Sequence, residues 1–154
     1  MKNLIFLMFF VLGAIGVACQ DQGTPSKTER FREIAMSGEY TQYQENFYDR
    51  AFAVATNAID LQAVDSLFRQ YPEKQEIVDF DRDLFKNIKG GLTYYEIELK
   101  THNLGKLLNE KYHFDKLSFE ESAEIGAIFD KQHNGHHKEL LREKIADYFK
   151  NKSK

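Results

Sequence analysis

The segment "DKQHNGHHKE", residues 130–139, holds three of the chain's five histidines. Neutral imidazole is a ligand for Zn, Cu or Ni, so His133, His136 and His137 with a nearby carboxylate form a candidate metal site, zinc being the candidate cofactor. The spacing is not H-E-x-x-H, because Asn134 stands where a zincin carries its glutamate. Asn134 and Gly135 also read as a helix stop, which sets His133 and His137 on different helices, with His136 and His137 in an exposed turn. The competing reading is therefore of ordinary surface histidines, His133 complementing the negative end of a helix.

Two acid-x-x-His pairs, Glu110 with His113 and Asp130 with His133, loosely imitate the di-iron helical-bundle pattern. One pair has Asp in place of Glu, and both fall at expected helix ends. Asp79, Asp81 and Asp83 begin like a calcium loop, but Leu84 stands at the glycine position and Gly90 at that of the bidentate glutamate. There is no G-x-S-x-G elbow, no phosphate-cradling glycine loop and no S-x-x-K, so no catalytic set is assembled and an enzyme is the less favoured reading.

The only cysteine, Cys19, lies in "IGVACQDQGT", where an apolar leader gives way to a polar segment. Lys2 is a positive n-region, and residues 4–18 are an apolar run of signal-peptide length, short of a membrane span. Gly16 and Ala18 supply the small residues before a cleavage site. Val17, Ala18 and Cys19 resemble the lipobox of bacterial lipoprotein leaders, although Gly16 replaces the usual leucine. The resemblance covers the leader alone. It implies cleavage before Cys19, a diacylglycerol thioether and an acylated amino group (palmitate-type chains) on that residue, and a domain anchored outside the cytoplasm. Gln20 in place of aspartate implies, by the same resemblance, the outer membrane. Two or more acyl chains make such an anchor stable.

Removing the first 18 of 154 residues leaves 136, one domain's worth, and removes Lys2 but no acid, so the net charge moves from −3 to −4. A mildly acidic surface without a basic patch argues against nucleic acid as a partner. It also leaves Cys19 as the evident contact with the lipid bilayer. Residues 19–27 read as lipidated cysteine and tether, stretching to about 25 Å, and residues 28–154 as a single helical domain. With 14% aromatics, that domain has ample apolar bulk for a core.

The elements that would position these groups are helices. Ser26 or Thr28 is a candidate cap for a helix through Ser37, ended by Gly38. Tyr40, Tyr43, Phe47, Ala51, Val54 and Ala58 recur at steps of three and four and predict a helix central to the core. Asp60 reads as an N-cap with an Ile59–Val64 staple, and that helix runs to Pro72. Ile77, Phe80, Leu84 and Ile88 predict another, stopped by Gly90 and Gly91. "LTYYEIELKTH", residues 92–102, fits strand alternation as well as a helix; the helical continuation through Leu104 and Leu108 favours helix. Ser118 and Glu121 form a capping box for a helix through Phe129, and a final helix begins near His136.

The expected fold is all-α, a bundle of about six or seven helices after a cleaved signal peptide. The expected function is a lipoprotein acting in the periplasm as a protein-binding module, an immunity or inhibitor protein against a toxin or hydrolase being the specific case. The alternatives are a metal-binding lipoprotein using the three histidines and a structural component of an envelope assembly.

Overall fold

The computed structural model describes residues 26–153. The described residues form six α-helices and three short 3-10 turns, with no strand, the all-helical bundle that the sequence predicts. Cys19 and the leader lie outside them.

Helix α1 (Lys27–Ala35) opens on a capping box: the Ser26 hydroxyl accepts from the Glu29 amide, and the Glu29 carboxylate accepts from the Ser26 amide at 2.8 Å. Two residues later Ser37 caps α2 (Gly38–Ala55), accepting from the Tyr40 amide at 3.1 Å. Gly38 is therefore the first residue of a helix, not the stop that the sequence suggests, because the preceding serine offers a stronger start signal than the glycine does a stop. Asn57, left-handed at φ 53°, turns the chain after α2. Asp60 then caps α3 (Leu61–Gln70) by accepting from the Ala63 amide. Ile59 and Val64 are buried together, as the staple requires.

The helix expected over residues 77–88 is absent. Two 3-10 turns, Ile77–Asp79 and Arg82–Phe85, stand there, separated by extended Phe80. Asp79 accepts from the Gln75 and Glu76 amides, and Asp81 from the Asp83 amide. These short side chains offer the backbone local partners that compete with a continuous helix. The apolar residues still face inward, Ile77, Phe80 and Phe85 all being buried.

The ambiguous stretch is helical: it lies in α4 (Gly91–Tyr112). Gly90 precedes it in the left-handed region at φ 67°, and a Cβ there would lie 2.1 Å from the Ala58 carbonyl oxygen. This is a close crossing that only glycine allows. A 3-10 turn (Phe114–Lys116) leads to α5 (Phe119–Gln132), which has the expected Ser118–Glu121 box. Asn134 and Gly135, both at positive φ, turn the chain into α6 (His136–Lys152).

Helices α2 and α4 run antiparallel as the spine of the molecule. Glu39 pairs with Lys111 at 3.6 Å and Arg50 with Glu98 at 2.6 Å, so successive positions on one match descending positions on the other. At one end of the spine α1 and α5 close a core of Phe31, Ile34, Tyr40, Leu108, Ile125 and Phe129. At the other, α3 and the 3-10 turns bury Leu67, Ile77, Phe80 and Phe85, with Phe68 and Tyr94 bridging to Ala53, Ile59 and Val64. Helix α6 lies on α2 and has no fully buried side chain of its own.

The apolar stripe of α2 is not uniformly core. Tyr40 is buried, but Phe47 is 51% and Val54 36% exposed, while the second half of the helix buries Ala53 and, just past its end, the C-cap Thr56.

Candidate functional site

The three candidate histidines gather at the α5–α6 turn. His133 is the C-cap of α5, and His136 and His137 open α6 after the left-handed pair Asn134 and Gly135. The reversal folds His137 back, so that its ring centroid lies 5.0 Å from that of His133 and 5.9 Å from that of His136. His133 and His137 thus stand on either side of the helix stop, as the sequence predicts, and the turn nevertheless brings their rings together. His136 is exposed as expected, whereas His137 is half-buried.

What surrounds His137 is aromatic. It stacks on Tyr48 of α2 at 5.7 Å and 11° between planes, and on Phe129 of α5 at 5.4 Å and 23°. Burial lowers its pKa, and the neighbouring His133 adds to the effect, while Glu45 opposes it. Asp130 is engaged by Lys138 as an ion pair and also lies beside the Tyr48 hydroxyl, whose own pKa burial raises first. Among the described residues no group of three or more His, Cys, Asp and Glu side chains is arranged to hold a metal ion. The imidazoles meet one another and their aromatic neighbours through ring faces and edges. Beside them a groove of about 240 Å³ opens between α2 and α6, with Glu45, Asp49 and Phe52 on one wall and Leu140, Leu141 and Lys144 on the other.

The looser metal patterns are placed just as plainly. His113 is the left-handed C-cap of α4 and His133 the C-cap of α5, so each acid-x-x-His pair ends its helix. Asp79 and Asp81 are occupied with backbone amides, and Asp83 pairs with Lys86 at 2.7 Å.

A larger cleft, about 430 Å³, runs along α4 and was not singled out by the sequence. Tyr43, Phe68, Ile77 and Tyr94 make its apolar part, and Glu98, His102 and Lys106, one helical turn apart, its polar edge. Glu98 is held by Arg50, and His102 Nδ1 lies 3.4 Å from the Glu76 carboxylate. Burial raises the Tyr94 pKa, with the Glu98 charge acting in the same direction. Gly105 also lines the cleft, and a Cβ there would meet nothing within 4 Å. The i, i+4 ladder of "YEIELKTHNLGK" is the signal that would have located it.

The third feature is the exposed half of the α2 stripe. Phe47 and Val54 lie two turns apart on one helix face, with half-buried Ala51 between them. The Phe47 ring packs edge-on to Tyr48 at 5.8 Å and lies under the Arg50 guanidinium at 5.9 Å.

No protein-family model, curated protein or solved structure matches this chain. Among the described residues no helix is long and apolar enough to cross a membrane.

Proposed function

We propose that this chain is an envelope-anchored helical lipoprotein that binds a protein partner through the exposed face of α2. The observation that carries the reading is the exposure of Phe47 and Val54 at 51% and 36% on the same stripe whose first residue, Tyr40, is buried core. Apolar side chains grouped at helical spacing on a surface are what helix-mediated recognition uses. The lipobox resemblance at Cys19 supports the anchor. The acidic net charge favours steering toward a basic partner, which suits an immunity or inhibitor protein against a toxin or hydrolase arriving outside the cytoplasm.

Photo-crosslinking residues placed at 47 and 54 in the native envelope should give one discrete adduct. Phe47→Asp with Val54→Asp should abolish co-purification of the same protein without unfolding the domain, since surface changes cost little stability. Adducts arising only from a control crosslinker at the exposed Val78 would refute the assigned face. Deletion of the chain should sensitise cells to a co-encoded toxin; unchanged survival would remove the immunity role while leaving the binding role standing.

A further inference from the structure

Phe119 is 85% exposed, and the next most exposed large apolar side chain, Met36, is 60% exposed. It is not on a loose loop. It is the first residue of α5, in a turn fixed by the reciprocal Ser118–Glu121 hydrogen bonds of 3.2 and 2.9 Å. Side chains at the start of a helix lean toward its N-terminal end, so the ring is held past the end of α5.

The same end of the molecule receives the beginning of the domain. Lys27, first residue of α1, pairs with Glu121 in that turn of α5 at 3.0 Å. Arg30, one turn on, donates to the Tyr112 carbonyl at the end of α4. From Cys19 to Ser26 there are seven residues, which reach at most about 25 Å. An acyl chain on Cys19 therefore keeps the bilayer within that distance of the first turns of α1 and α5.

We propose that Phe119 is a second membrane contact, seated at the headgroup boundary of the bilayer that Cys19 anchors and fixing the domain with its α1–α5 end against the lipid. The proposal rests on the lipidation of Cys19. One phenylalanine alone would bind a membrane too weakly to matter, but a short tether holds it at high local concentration, so a small intrinsic affinity is sufficient. The surface it suits is zwitterionic. Glu120 and Glu121 follow Phe119 in the first turn and, among the described residues, only Glu121 has a basic partner, so with Lys27 and Lys116 nearby the turn carries no net basic charge to recruit anionic headgroups.

The chain has no tryptophan, so a single introduced indole reports without background. Full-length lipidated protein carrying Phe119→Trp is reconstituted into phosphatidylethanolamine–phosphatidylcholine vesicles with and without brominated acyl chains. Its emission should shift to the blue and be quenched by the brominated lipid, while lipidated Phe47→Trp and Phe149→Trp proteins show neither change. Replacing part of the lipid by phosphatidylglycerol should not strengthen the quenching. An unshifted, unquenched indole at position 119 in vesicle-bound protein overturns the proposal with the anchor intact. Equal quenching at all three positions overturns it too, since the domain would then have no fixed orientation. If wild-type protein floats with vesicles no better than Cys19→Ser, the anchor itself fails, and this contact with it.

Discussion

Arg50 reaches across the α2–α4 spine to hold the Glu98 carboxylate at 2.6 Å, and the pair leaves Glu98 19% exposed against 41% for Arg50. The acid is thus the more desolvated partner, and it borders the α4 cleft. Arg50→Ala should cost about 1–2 kcal/mol, between the values for a surface pair and for a hydrogen bond to a charged group. Urea unfolding measures the loss, which should shrink as salt is added. An unchanged midpoint at low salt would mean that water replaces the guanidinium without penalty.

The glycines offer a graded comparison. Gly105→Ala in mid-helix, with nothing within 4 Å of the new methyl, should stabilise by about 0.5–1 kcal/mol. Gly135→Ala, at φ 68° and equally unobstructed, should lose about 1–2 kcal/mol to left-handed strain. Gly90→Ala adds a backbone clash to the same strain and should lose about 3 kcal/mol or more. Chemical denaturation of the three variants tests the order; a tolerated Gly90→Ala would show that the Gly90–Ala58 crossing yields easily.

His137 makes the attachment of α6 sensitive to acid. Its folded pKa lies below the ordinary 6.5 because of burial first and His133 second. The folded state therefore binds fewer protons than the unfolded one, and stability rises with pH across the gap. The contribution is complete above about pH 6.5 and is lost as pH falls toward the folded value. His137→Gln should flatten the decline in melting temperature between about pH 7 and 5. Hydrogen exchange should locate the effect in α6, since Glu45 and Tyr48 of α2, Asp130 and His133 of α5, and His136 are the groups around the ring. Parallel profiles for parent and variant would exclude His137 as the titrating group.

Zinc offers a further check on the same turn. The His137 ring lies 5.0 Å from that of His133 and 5.9 Å from that of His136. Yet His137 is occupied by stacking against Tyr48 and Phe129. Calorimetric titration with zinc should show no saturable site. Stoichiometric binding that disappears when all three histidines are replaced by alanine would restore the metal reading.

Helix starts were the most legible part of the chain, because a cap is a local exchange between a side chain and an amide three residues on. Asp60 and the Ser118–Glu121 pair were readable for that reason. The segment 77–88 misled because Ile77, Phe80, Leu84 and Ile88 keep helical spacing, and two 3-10 turns present the same residues inward with different hydrogen bonds. In α2 the periodicity showed which residues share a face, but not how far along that face the neighbours reach. That depends on where α1 and α5 pack, and neither is encoded within the helix. The candidate site was legible in composition and not in shape: the histidines were visible, whereas their stacking needed Tyr48 of α2, far away in the chain. The α4 cleft needed α2, α3 and the 75–77 segment to fold against α4.

Arg30 and Tyr112 are 82 residues apart in the chain, and that separation sets an order of assembly. A nine-residue helix is too short to persist by itself in water. As the chain emerges from its N-terminus, α1 therefore waits for the end of α4 and then α5, while α2, α3 and the 3-10 turns already have partners nearby in sequence. The segment made first is thus among the last to dock, closing the fold against residues made long after it.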